Sequence, residues 1–188
     1  RFSEGHRCLD KAEELDTLSL LGLFYISCYY LWEKDWNKMI EKGNRIISLE
    51  PNFVGGYQVK ALTYFESGRY EEAKLSMEKV IKMERDLWSL HHLGLIYAAN
   101  NEIEKAGKVL KEMQDLQAER GGGYYYLAQV HAALENWELA ITNFELSLKH
   151  HEGVMLFFKV STFDRYPKLK EDPRMQKLQE RIGLPVPK

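Results

Sequence analysis

The sequence predicts an all-α fold, a solenoid of antiparallel helix pairs closed by a C-terminal helical cap. Three observations predict it. Four segments, "SCYYLWEKDWNKMIEKGNRIISLEPN" from Ser27, "ALTYFESGRYEEAKLSMEKVIKMERD" from Ala61, "GLIYAANNEIEKAGKVLKEMQDLQAE" from Gly94 and "AQVHAALENWELAITNFELSLKHHEG" from Ala128, align with starts 34, 33 and 34 residues apart. A period of that length marks stacked helix–turn–helix units, each leaving an apolar face that only the next can cover. The same residue types recur in register: Ser27, Ala61, Gly94 and Ala128 are small, and Tyr30, Tyr64, Tyr97 and His131 are ring-bearing. Counting one period backwards places Phe2, Gly5, Leu9, Ala12 and Leu15 at the positions of Trp36, Met39, Gly43, Ile46 and Leu49, so the chain is expected to open with the second helix of a pair.

The elements follow in order. Residues 1–19 form that second helix without its first, which predicts a fragment of a longer array or an atypical cap. Helix pairs are expected over 20–53, 54–86, 87–120 and 121–154. A small residue late in each first helix lets the second helix approach, and the ring one turn on fills the space beside it. Residues 155–188 lack the repeat. With Pro167, Pro173, Gly183 and Pro185 they read as a short helix, a proline-bearing loop and a last helix from about Asp172 or Pro173 to Ile182.

These residues resemble the tetratricopeptide family, which implies a right-handed superhelix. Met39, Ala73, Ala106 and Ala140 stand at its second-helix small position, and Pro51 closes one repeat. Three departures stand out: Lys60 replaces the apolar residue found at Ile26, Leu93 and Leu127, Gly43 replaces a bulky one, and only one repeat ends in proline. The tail "YPKLKEDPRMQKLQERIGLP" resembles the segment closing such regions in bacterial multidomain signalling proteins, whose upstream parts are winged-helix domains, nucleotide cyclases or kinases.

The run Gly121-Gly122-Gly123 before a helix poses the one question of nucleotide chemistry. A glycine-rich loop at a helix N-terminus can cradle phosphate. Neither G-x-x-x-x-G-K-[ST] nor G-x-G-x-x-G after a strand is present, and the preceding residues read as helix. The run therefore reads as a joint in the first turn of a helix, with Gly122 and Gly123 equivalent to Gly55 and Gly56. Tyr124 is expected to point into its own repeat and Tyr125 toward the inner surface.

Other chemistry is sparse. A net charge of -2 lacks the basic excess that neutralising a nucleic-acid backbone requires. No apolar run reaches membrane-span length, and Cys8 and Cys28 read as free thiols of a reducing, cytoplasmic compartment. The pairs His91-His92 and His150-His151 sit on adjacent helical positions and cannot close on one metal. No catalytic residues, metal or cofactor are expected, and the chain reads as a non-enzyme.

What remains is the concave surface. The resemblance places Phe24, Cys28 and Trp32, then Gln58, Leu62, Phe65 and Glu66, then Trp88, His91 and Leu95, then Tyr125 and Gln129 along it. The set lacks the lysine, arginine and asparagine with which the family's binders of acidic C-termini clamp a carboxylate. It is aromatic and neutral, suited to an apolar or mixed peptide. Three readings compete: a recognition groove, self-association through the repeat ends or contact with further domains of a parent protein, and plain core. At the level of the whole protein, the expectation is a protein-binding module of a larger bacterial signalling or regulatory protein. The alternatives are a regulatory segment of a multidomain enzyme and a structural self-assembly module.

Overall fold

The computed structural model describes residues 2–157, 162 and 165–183. The described residues are helical, with eleven α-helices and one 3-10 helix joined by short turns. They divide into two compact units, Arg1–Arg85 and Asp86–Lys188. The first holds α1 (Phe2–Leu15), α2 (Leu20–Glu33), α3 (Trp36–Leu49), α4 (Val54–Glu66) and α5 (Tyr70–Met83). The second holds α6 (Leu87–Ala99), α7 (Ile103–Arg120), α8 (Tyr124–Ala133), α9 (Trp137–Lys149), the 3-10 turn Gly153–Phe157, α10 (Pro167–Lys170) and α11 (Pro173–Ile182). Helices α2 and α3, α4 and α5, α6 and α7, and α8 and α9 pack as adjacent pairs.

Small residues set the spacing inside each pair. Ser27, Ala61 and Ala128 are fully buried on the first helices, as are Ala73, Ala106 and Ala140 on the second. Between α3 and α4 the approach is close enough to require glycine. A Cβ on Gly56 would lie 2.6 Å from Ile47 Cγ1 and 3.1 Å from the Gly43 carbonyl oxygen. Gly43 thus admits α4 instead of weakening the repeat. Lys60, the apparent misfit, lays its stem over Gly43, and its ammonium donates to Asn44 Oδ1 at 3.0 Å.

The starts of α2, α3, α6 and α11 are fixed by side chains. Ser19 accepts from the Gly22 amide and Asp35 from the Lys38 amide, and Asp86 forms a reciprocal box with Ser89. Asp172 caps α11 behind Pro173 at the first helical position, and Arg174 makes a two-pronged contact to Glu138 at 2.9 Å, tying α11 to α9. In the N-terminal unit the Glu13 carboxylate of α1 accepts from Lys42 at 2.7 and 2.8 Å and from Arg45 at 3.1 Å, both on α3.

The turn inside each pair carries one residue in the left-handed region, Lys34 (φ 58°), Gly68 (78°), Asn101 (61°) and Glu135 (59°), at the repeat spacing. Only Gly68 adopts it without a Cβ penalty; an ordinary side chain gives up about 1 kcal/mol there. Lys34→Gly and Glu135→Gly should therefore raise unfolding free energy by about 1 kcal/mol each. Asn101→Gly should gain less, since asparagine tolerates this region. Urea unfolding midpoints of the three variants test the ranking.

Candidate functional site

The predicted inner-face residues divide by unit. In the N-terminal unit Phe24, Cys28, Gln58 and Leu62 are half-buried, Glu66 is exposed and Trp32 is 46% exposed. Phe65 turns inward, buried beside Tyr70 at 6.0 Å between ring centroids. Helix α2 has no charged residue before Glu33, and its open side adds Leu21 and Tyr25, 60% and 67% exposed, to Trp32. Phe24 meets Tyr25 edge to face at 5.7 Å. Burial pushes the Cys28 thiol up from its ordinary range, which makes it a poor nucleophile.

In the C-terminal unit the same positions are closed. His91, Leu95, Tyr125 and Gln129 are all buried, and Trp88 is half-buried against His92 at 4.1 Å. The chain covers this face itself. Gln129 Nε2 donates to Thr162 Oγ1 at 3.4 Å, Thr162 is fully buried, and the Arg165 charge acts on both histidines. Tyr125 packs edge to face with Phe144 in a cluster that includes Met155, Leu169, Met175 and Leu178. Tyr125, expected at the inner surface, enters the core instead, while Tyr124 stacks within its own repeat on His150 at 4.9 Å. His91, Tyr125 and Gln129 are core here because cap residues occupy the face that the resemblance assigns to a ligand, and Leu95 is buried with them.

The buried polar residues form one ordered chain. The Trp88 carbonyl can only accept, so His92 Nδ1, 2.9 Å away, carries a proton. His91 Nδ1, 3.3 Å from His92 Nδ1, then accepts, which leaves His91 Nε2 to donate to Gln129 Oε1 at 3.4 Å. Both rings are neutral. Burial holds His91 well below the usual histidine range and His92 down to about 4, and the Arg165 charge adds to both. His131, also lowered by burial, has a buried Nδ1 without a hydrogen-bond partner.

The three glycines also differ from expectation. Gly121, Gly122 and Gly123 precede α8 with φ of 73°, 72° and 75°, whereas Gly55 and Gly56 lie inside α4. The loop does hold an anion, and the anion is the chain's own. Glu152 accepts from the Tyr124 amide at 3.0 Å through one oxygen and from the Tyr125 amide at 2.9 Å through the other, which also takes the Ser147 hydroxyl at 2.7 Å. Nothing in the spacing announces this contact, 28 residues along the chain.

Among the described residues no group of three or more His, Cys, Asp or Glu could hold a metal ion, and no helix is long and apolar enough to cross a membrane.

Residues 54–87 match the family model described as "Tetratricopeptide repeat". The fold is similar to the crystal structure of a thermophilic TPR protein from Thermus thermophilus, with a TM-score of 0.66 and 19% identity over 86% of each chain. Residues 54–87 are a tetratricopeptide repeat, and the fold is that of a tetratricopeptide-repeat protein. A comparison with curated proteins gives no match. The tetratricopeptide repeat explains the recurring small positions. Helix pairs of this repeat form a protein-interaction scaffold.

Two outcomes follow. Glu152→Ala removes a carboxylate from two amides and a hydroxyl and should cost about 2 kcal/mol in urea unfolding, with Glu152→Gln losing less. Acid should weaken the C-terminal unit. His91, His92 and His131 bind protons in the unfolded chain near pH 6.5 but resist them when folded, so stability present above pH 6.5 is lost as pH falls toward 4. Replacing His92 with Gln should flatten the fall in unfolding midpoint between pH 6.5 and 4.5 relative to wild type.

Proposed function

We propose that this tetratricopeptide protein is a non-catalytic recognition module that takes an apolar or mixed peptide on the N-terminal unit, at Phe24, Trp32, Gln58, Leu62 and Glu66. The observation that carries this reading is Trp32, 46% exposed on a helix without charge before Glu33. Large rings half in contact with water anchor partners at low entropic cost. Phe65, buried in the same unit, supports that surface from beneath, whereas His91, Leu95, Tyr125 and Gln129 are buried in the C-terminal unit and are not part of it. No lysine or arginine stands among the open positions, which favours an apolar ligand over an acidic C-terminus. The tail's resemblance to bacterial signalling proteins supports a place in a larger cytoplasmic regulatory protein.

Panning a random-peptide phage library on residues 1–188 tests the reading. Enriched peptides should be rich in apolar residues. Their affinity, followed by fluorescence polarisation, should fall at least ~10-fold with Trp32→Ala and with Leu62→Glu, while circular dichroism stays unchanged. Peptides that bind both variants as tightly as wild type would refute it.

A further inference from the structure

Helix α2 is apolar on two opposite sides. Leu23, Ile26 and Tyr30 cluster with Met39 and Ile46 of α3. On the side turned away from them, Leu21, Tyr25, Cys28 and Trp32 follow at spacings of four, three and four, the row by which one helix lies along another. The row is open to water: Leu21, Tyr25 and Trp32 are 60%, 67% and 46% exposed, and Leu15 and Leu18, just ahead of α2, are 76% and 65% exposed. No charge falls between Asp16 and Glu33. These side chains together offer an apolar area on the order of 500 Å², more than half of the roughly 800 Å² that each partner buries in a stable interface.

Two features of the chain select the occupant. The first is the surface of its last helix. There α11 presents Gln176, Lys177, Glu180 and Arg181 to water, so a head-to-tail contact with α11 would set the apolar row against charge. A two-fold contact sets the row against itself. The second is charge. Asp16 and Lys34 are exposed at the two ends of the row, each nine residues from Tyr25. Antiparallel pairing about Tyr25 brings the Asp16 carboxylate of each protomer to the Lys34 ammonium of the other, twice in one dimer. Parallel pairing would set like charges together. The antiparallel register also places Trp32 opposite Leu18 of the second copy, both seven residues from Tyr25.

We infer that this chain forms a two-fold symmetric dimer in which the α2 helices of two copies pack antiparallel through Leu18, Leu21, Tyr25 and Trp32, with Asp16 of each protomer paired to Lys34 of the other. The contact is isologous, so it closes at two copies and leaves no apolar row free for a third. Tyr25 lies at the two-fold axis, where its ring meets its own copy, and rings in such pairs add to the area they bury. The dimer has a consequence for recognition. Trp32 also belongs to the proposed peptide surface, so a peptide and the second copy compete for it. The dimer does not rest on that reading, and its test uses no peptide.

Sedimentation equilibrium on residues 1–188 at low salt tests this. The expected result is a monomer–dimer equilibrium without larger species, its dissociation constant raised at least ~10-fold by Tyr25→Glu. Asp16→Lys and Lys34→Asp should each weaken the dimer ~5-fold, because two attractions become two repulsions. An equimolar mixture of these two variants should dimerise as tightly as wild type, since each carries the charge that the other lacks. Unchanged far-UV circular dichroism of all three variants assigns the losses to the interface. A monomer at every concentration overturns the inference. So does growth beyond the dimer, a dimer indifferent to Tyr25→Glu, or a mixture that associates no more tightly than its separate components.

Discussion

Close backbone approach at small residues is the constraint on which the rest of the structure depends. Gly94 shows its tolerance: an added Cβ would lie 3.2 Å from both Val130 methyls and 3.5 Å from Val109. Where helices pack this tightly, side-chain volume cannot be traded freely, so the ring one turn on has one place to go. The turn between the two helices must also be short, and it obtains its reversal from a single left-handed residue. Three of the four such residues carry a side chain that opposes that geometry, so packing of the pair holds the turn in place.

The two units close their inner faces by different chemistry. The N-terminal unit leaves rings and aliphatic stems partly in water, and its charged contact between Glu13, Lys42 and Arg45 lies between α1 and α3. The C-terminal unit buries its equivalent face under its own cap. It buries polar groups in doing so, which is tolerable because Trp88, His92, His91, Gln129 and Thr162 satisfy one another in sequence. That order requires neutral imidazoles. A proton added to His91 Nδ1 would face the N–H of His92, so the network is stable only while burial keeps water and protons away.

The architecture was legible in the sequence because it is periodic. The small positions at Ser27, Ala61, Gly94 and Ala128 and the last helix at Pro173–Ile182 stand where spacing and proline chemistry put them. The inner face was legible only by half. Repeat register describes what a residue meets in its own and neighbouring repeats, and it assigned Phe24 and His91 the same surroundings. The two differ because residues from the cap, which carry no repeat, lie over His91 and Gln129. The left-handed turns were hidden in part for another reason: Lys34 and Glu135 carry no turn signal, whereas Gly68 and Asn101 do.

The glycine loop joins these threads. Its geometry is that of an anion site: three residues of positive φ leading to exposed helix amides, which favour negative charge. A free phosphate would have to compete with Glu152, whose carboxylate is delivered by the same unit and is anchored by Ser147 at the end of α9. An internal ligand pays no translational entropy on binding, and two amide bonds with one hydroxyl bond use both of its oxygens. The same contact fixes α8 against the residues that follow α9, just where the chain leaves its repeats for the cap. A phosphate-like cradle thus serves as a structural clasp: the glycines take the positive φ of the turn that leads into the Tyr124 and Tyr125 amides, and a carboxylate brought from 28 residues away occupies them.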